Sequence, residues 1–413
     1  MRLRASSISL NPSHLQAALR VDLASPLSTS IHEEGIRIPP VHLVRGGVTS
    51  PDVMALLLAN VRTPDERQGD IRAQLAAIHR GASRLTDVVD RRGPGEVVAA
   101  MDALCAYSEK RMRALIASLP DGTFAFEDVL EDDGAGTLDI PIRVVVTIAG
   151  DEATIDFTGS SDQVRGNVNA NEAVTVSATL YCFMVLAGSD LPASEGCFAP
   201  LHVVTRPGSV VHAEFPAAVA GGNVETSQRI VDVVLGALAK ALPDRVPAAS
   251  CGSMSNLTLG GQDEAGRPFT YYETMGGGMG ARPGLDGLSA IQTHMTNTRN
   301  TPIEGLETSY PVRVHRYAIR RGSGGGGKRR GGDGLVREIE ALVPTMLGLL
   351  SERRIRPPYG LAGGEPGAVG RNLLVSGDDS AEEILPGKVV RHLSPGDRIR
   401  VETPGGGGHG RPD

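Results

Sequence analysis

Three stretches of this sequence gather polar side chains or glycines in ways that a packed core does not need. In Gly221-Gly222-Asn223-Val224-Glu225-Thr226-Ser227-Gln228-Arg229, paired glycines precede a helical apolar period at Ile230, Val234 and Leu238. A helix start presents free N–H groups and the positive end of the macrodipole, which suits an anionic ligand. Asn223, Glu225 and Arg229 are the candidate site residues there, with an ordinary capped helix as the plain alternative. In His294-Met295-Thr296-Asn297-Thr298-Arg299-Asn300 there is no apolar stripe to bury. His294 is the preferred proton-transfer candidate, against a structural histidine. The planar fork of Arg299 suits a carboxylate or phosphate, and Asn297 stands between the two. The third stretch, Gly276-Gly277-Gly278-Met279-Gly280-Ala281, formally meets the dinucleotide fingerprint. Loop residues Arg282-Pro283-Gly284 follow it instead of a helix, so a Rossmann site is not predicted. The amides of Gly276, Gly277, Gly278 and Gly280 remain candidates to face an oxyanion, with a wide turn as the alternative. The basic run at Lys328-Arg329-Arg330 reads as a solvated turn. No P-loop, histidine metal motif or G-x-S-x-G nucleophile elbow occurs.

Helices and strands must hold these stretches. Thr63-Pro64-Asp65-Glu66 reads as a helix start, with Thr63 as cap and Glu66 closing a capping box. Ile71, Leu75, Ile78, Leu85 and Val88 follow on one face. A second stripe, Val97, Met101, Leu104, Met112, Leu115 and Leu119, predicts a partner helix over about 96–119, with the turn at Gly93-Pro94-Gly95. After Pro120-Asp121-Gly122 the period changes to two, and the segments Ile140–Ile148 and Ala153–Phe157 read as a hairpin turning at Gly150-Asp151. Helices are expected at about 171–187 and 225–242, and strands at about 200–205, 255–260 and 268–274. The fold class is α+β: a helical hairpin, about 51–119, packed on mixed β-sheets, with a C-terminal β-rich part. The chain divides into an N-terminal segment 1–24 with no convincing pattern, an α+β core 25–310 and a β-rich region 311–413.

Composition narrows the function. Of 413 residues, 40% are hydrophobic and 22% charged, which excludes a mainly disordered chain. A net charge of −7 argues against a nucleic-acid partner, whose phosphates call for a basic surface. No apolar run approaches the ~20 residues of a membrane span. Four scattered cysteines, without Cys-x-x-Cys spacing, read as reduced thiols of a cytoplasmic protein.

Several strings together resemble the hydantoinase B/oxoprolinase family. They are Asn60-Val61-Arg62-Thr63-Pro64-Asp65-Glu66-Arg67, Asp156-Phe157-Thr158-Gly159-Ser160-Ser161, the three stretches above, Gly331-Gly332-Asp333-Gly334 and Thr403-Pro404-Gly405-Gly406-Gly407-Gly408. The resemblance runs from about residue 26 to the end. It implies a B-type subunit of an ATP-dependent cyclic-amide hydrolase acting on a hydantoin or 5-oxoproline, in a hetero-oligomer with an A-type subunit that binds ATP and phosphorylates the amide oxygen. The B part then completes ring opening with water. It also implies a divalent metal, held in the family by a Thr-His-x-x-Asp segment and a His-His-Ala-Asp-like segment. Neither string is in this sequence, so the expectation is that the chain as given does not assemble that metal site and has little activity alone. The alternatives are a subunit like those of acetone and acetophenone carboxylases, and a non-catalytic chain that only binds the A-type subunit.

Overall fold

The computed structural model describes residues 26–377 and 382–412. The segment 1–24, set apart by the sequence, lies outside the described residues. Three helices come first: α1 (Pro51–Ala59), α2 (Pro64–Arg92) and α3 (Pro94–Ile116). Proline stands at the first position of each, where its missing N–H costs nothing. The hairpin corner falls at Gly93, whose φ of 84° is the left-handed backbone that glycine adopts without strain. The expected capping box does not form. Thr63 makes no capping bond, and Glu66 pairs instead with Arg67 at 3.2 Å. The expected apolar face of α2 is also largely unburied, with only Ile71 inside. The body is met by α3 instead, through Met112 and Ile116, both fully buried.

The first core belongs to a four-stranded sheet ordered β3 (Gly122–Asp132), β4 (Leu138–Ala149), β5 (Glu152–Asp156) and β6 (Leu201–Val204). The β4–β5 hairpin turns at Gly150-Asp151 as expected, and β6 joins β5 in parallel. In β4, Ile140, Ile142, Val144, Val146 and Ile148 share the inner face at period two. Helices α4 (Glu172–Ala187) and α5 (Ser227–Ala241) close over that face. Nearly every residue of α5 is buried, so it runs through the core and not along its surface.

The second core lies between two antiparallel sheets. One is ordered β14-β11-β7-β8, from β7 (Asn256–Gln262), β8 (Pro268–Thr274), β11 (Thr345–Leu350) and β14 (Lys388–Leu393). The other is ordered β13-β12-β15-β10-β9, from β9 (Val312–Arg320), β10 (Gly334–Ala341), β12 (Arg371–Val375), β13 (Glu382–Leu385) and β15 (Arg398–Glu402). Leu257, Leu347 and Leu349 from one sheet pack with Leu335, Ile339 and Ile399 from the other. Strands from before and after residue 310 therefore share one sheet. A two-stranded ribbon, β1 (Val44–Arg45) and β2 (Val48–Thr49), a short helix α6 (Ile303–Ser309) and two 3-10 turns, Ile31–Glu33 and Glu195–Phe198, also lie among the described residues. No helix among them is long and apolar enough to cross a membrane. Cys105, Cys182, Cys197 and Cys251 form no disulfide among the described residues.

Candidate functional site

The helix start singled out in the sequence is not a simple cap. Gly222–Thr226 form a π-helical turn that feeds directly into α5. Such insertions concentrate at functional positions. Packing imposes the turn. The carboxylate of Glu34 accepts the N–H groups of Val219 and Ala220, each at 2.9 Å, and sets the approach. A Cβ on Gly222 would lie 1.9 Å from the Asn169 carbonyl oxygen, so only glycine fits there. The Thr226 hydroxyl donates to the Val168 carbonyl.

This places Glu225 wholly inside the protein. Its Oε1 accepts from Asn256 Nδ2 at 2.7 Å and from the Met254 N–H at 3.2 Å, while Oε2 has no partner. Burial, reinforced by the Glu352 carboxylate, pushes the Glu225 carboxyl up to about 8, against a hydrogen bond from the Ser253 hydroxyl and the pull of Lys388 and Arg354. Gln228 and Asp232 follow at three and seven residues, on the same helical face.

The loop 293–295 lies against that face. Gln228 donates through Nε2 to the Thr293 carbonyl at 3.1 Å, and Met295 packs with Val224, Met254 and Leu350. His294 sits in left-handed backbone at φ 60°, with Nδ1 at 3.2 Å from the Tyr181 hydroxyl of α4. Burial holds the imidazole below its ordinary range, with Asp232 acting weakly the other way. Further along the loop, Asn300 donates to Glu273 at 2.9 Å and accepts from Tyr317 at 3.1 Å. Glu273 in turn pairs with the fully buried Arg337 at 3.2 Å. Five buried polar atoms along this seam make no hydrogen bond of ordinary geometry: Glu225 Oε2, Gln228 Oε1, Asp232 Oδ1, Thr293 Oγ1 and His294 Nε2, with the Ser253 hydroxyl acting on Glu225 and the Cys251 thiol beside Thr293. Buried polar atoms are ordinarily satisfied, so a cluster of unsatisfied ones marks a place built for a ligand or solvent. Among the described residues no three His, Cys, Asp or Glu side chains are arranged to hold a metal ion.

The sequence profile of the family described as hydantoinase B/oxoprolinase matches residues 22–412. The chain belongs to that family. It is 39% identical over 411 residues to 5-oxoprolinase 1 of Arabidopsis thaliana, covering 93% of this chain and 31% of that protein. It is 37% identical over 395 residues to 5-oxoprolinase of Dictyostelium discoideum, covering 94% of this chain and 30% of that protein. The crystal structure of ATP-dependent caprolactamase from Pseudomonas jessenii superposes with a TM-score of 0.85 at 31% identity, over 94% of this chain and 69% of that chain. The chain thus spans less than a third of these two 5-oxoprolinases and about two thirds of the caprolactamase chain.

In this hydantoinase B/oxoprolinase member the site residues expected from sequence are only partly together. Glu225 and His294 both lie along the seam, and Asn223 is half-buried at the π-turn, its carbonyl accepting from Ser227 at 2.6 Å. Arg229 is turned away into an ion network. It reaches Asp128 at 2.9 Å, Glu352 at 3.3 Å and Asp232 at 3.4 Å. Arg353 bridges Asp128 at 2.7 Å and Asp232 at 2.5 Å, and Lys388 holds Glu352 at 2.7 Å. Burial favours the neutral acid, but Arg229 and Arg353 together hold Asp128 well below the usual carboxylate range. The network ties β3 and α5 of the first core to β14 of the second. Asn297 and Arg299 are exposed, so Arg299 does not join the cluster as an anion clamp.

The glycine stretch is likewise committed to the protein. Gly277, Gly278 and Gly280 donate to the Ile291 carbonyl at 2.9 Å, the Pro404 carbonyl at 3.0 Å and the Ser250 hydroxyl at 3.2 Å. A Cβ on Gly278 would lie 2.0 Å from the Gly332 oxygen. With Gly276 the run forms a seam of close backbone packing against the glycines near 332 and 405, and three of its four amides do not face a ligand. Sequence reasoning missed Gln228, Asp232, Thr293, Tyr181 and Asn256. The first two carried a signal, as polar residues on one face of an otherwise apolar helix. Tyr181 and Asn256 lie in apolar and strand contexts with no local mark.

Proposed function

We propose that this chain is a B-type subunit of an ATP-dependent cyclic-amide hydrolase and works beside an A-type subunit that binds ATP. Its substrate is a hydantoin, 5-oxoproline or similar lactam ring. The family and the likeness to the caprolactamase support the reaction class. The observation that carries the site is the seam of unpartnered polar atoms between α5 and the 293–295 loop. A carboxyl that titrates near neutrality can both take and return a proton. Glu225 Oε2 is the atom for this, because Oε1 is held by Asn256 and Met254. Gln228 Oε1 and Asp232 Oδ1 are acceptors for a ring N–H, and His294 Nε2 and Thr293 Oγ1 meet the amide oxygen. Positioning of this kind lowers the barrier by orienting the reacting groups. These roles rest on the chain's own side chains.

The test is turnover by the assembled complex with its cognate A-type subunit. Ring-opened product should form with ADP from hydantoin, 5-oxoproline or caprolactam, and Glu225→Gln should lower kcat on the order of 100-fold. ADP formation that requires bicarbonate and a ketone would instead assign a carboxylase. Tight binding to the A-type subunit, with no cyclic amide turned over, would assign a non-catalytic binding role.

A further inference from the structure

The pairing of Tyr181 with His294 decides what the histidine offers to a ligand. The Tyr181 hydroxyl lies 3.2 Å from His294 Nδ1, and the His294 backbone N–H donates toward the same oxygen. The two rings meet edge-on, with centroids 5.7 Å apart and planes at 77°, so the hydroxyl lies near the imidazole edge. The other ring nitrogen, Nε2, is buried without a hydrogen-bond partner, and Asp232 is close enough to act on the ring's charge. His294 also sits in left-handed backbone, φ 60°, a conformation uncommon outside glycine.

Two protonation states are open to this pair. A neutral imidazole carries one N–H, and the hydrogen bond at one nitrogen determines which nitrogen carries it. Burial pushes the Tyr181 hydroxyl up to about 12 and the imidazole downward, so both groups are neutral at pH 7. Between a neutral phenol and a neutral imidazole, the phenol is the better donor and the imidazole nitrogen the better acceptor. The proton of the bond therefore stays on the tyrosine oxygen and points at Nδ1.

We propose that Tyr181 is a positioning residue whose hydroxyl donates to His294 Nδ1 and fixes the imidazole as its neutral Nε2–H form, so that His294 presents a hydrogen-bond donor to a bound carbonyl or phosphoryl oxygen. This rests on the hydrolase reading for the identity of that oxygen, but not for the state of the ring. The division of labour follows. Glu225 moves the proton, and His294 stabilises the oxygen on which charge develops without changing its own charge. A donor placed there is most effective when it needs no rearrangement during the reaction.

The experiment is a long-range proton–nitrogen correlation spectrum of the full chain labelled with 15N-histidine at pH 7, with His294 assigned by its loss in His294→Gln. The expected spectrum shows Nε2 protonated and Nδ1 bare. In Tyr181→Phe, which keeps the ring packing and removes only the hydroxyl, the His294 nitrogens should shift toward a tautomer mixture. A protonated Nδ1 in the unaltered chain, an imidazolium at pH 7, or an unchanged tautomer in Tyr181→Phe would each overturn the proposal. In the complex with the A-type subunit, Tyr181→Phe should lower kcat roughly tenfold with little change in KM. The spectrum needs no turnover, so an inactive complex counts against the hydrolase reading and leaves the tautomer assignment to stand or fall alone.

Discussion

Replacing Glu225 with glutamine tests the central electrostatic claim without an activity assay. Glutamine keeps an oxygen for Asn256 and the Met254 amide while removing the titration. In the native chain the carboxyl is pushed from its ordinary 4.5 to about 8 by burial and by Glu352. Glu225 is then protonated in the folded chain, over a range where the unfolded chain has already lost that proton. The sign follows from linkage: this contribution to stability is fully present below the unfolded value and is lost as pH rises through the folded value. Each pH unit between the two is worth about 1.4 kcal/mol. Between pH 6 and 8 Glu225 should therefore remove about 2 kcal/mol of stability, because the slope halves as the pH reaches the folded value. The assay is urea unfolding of the chain and of Glu225→Gln at half-unit steps over that range. The unaltered chain should lose stability more steeply than the variant, and the gap between the two slopes should integrate to the figure above. Parallel curves from pH 6 to 8 would refute the assignment, because they would show that Glu225 ionises equally in both states.

Other substitutions probe the scaffold. Arg229→Ala leaves Asp128, Asp232 and Glu352 short of a cation in the core, and unfolding measurements should show a loss of about 3–5 kcal/mol. Arg299→Ala, at an exposed position, should change stability by no more than about 0.5 kcal/mol in the same assay. Gly222→Ala meets the Asn169 carbonyl at 1.9 Å and should give little soluble protein on expression. Gly81→Ala, inside α2 with open space around it, should raise the unfolding free energy by roughly 0.5–1 kcal/mol.

Much of the fold was legible because local periodicity and local turn chemistry agree with it. The β4–β5 hairpin reads from its β-branched run and the glycine at its turn. The α2–α3 hairpin reads from prolines at the helix starts and a glycine at the corner. The failures share one cause. The Thr63 box rests on four adjacent residues, but Arg67 takes the glutamate. The stripe of α2 has the period of a buried face, but it is α3 that packs on the body. At the site, Glu225 and His294 were legible because an acid after paired glycines and a histidine in a polar run are locally unusual. Arg229 and Arg299 stand out in sequence only by the chemistry of guanidinium, and residue type does not say which arginine will be buried against carboxylates.

The sequence by itself determined the element types, the α+β class, the family likeness and the two short stretches that hold the site. Each of these follows from spacing along the chain. Tertiary structure alone decided which polar groups come together. Tyr181, Glu225, Asn256 and His294 are distant in sequence, and only the closing of α4 and α5 over the first sheet, with β7 and the 293–295 loop against them, brings them to one seam. The glycines show the same division. Their number is a property of the sequence, but whether a bare backbone meets a ligand or another backbone depends on what lies opposite, and here it is mostly the protein's own carbonyls.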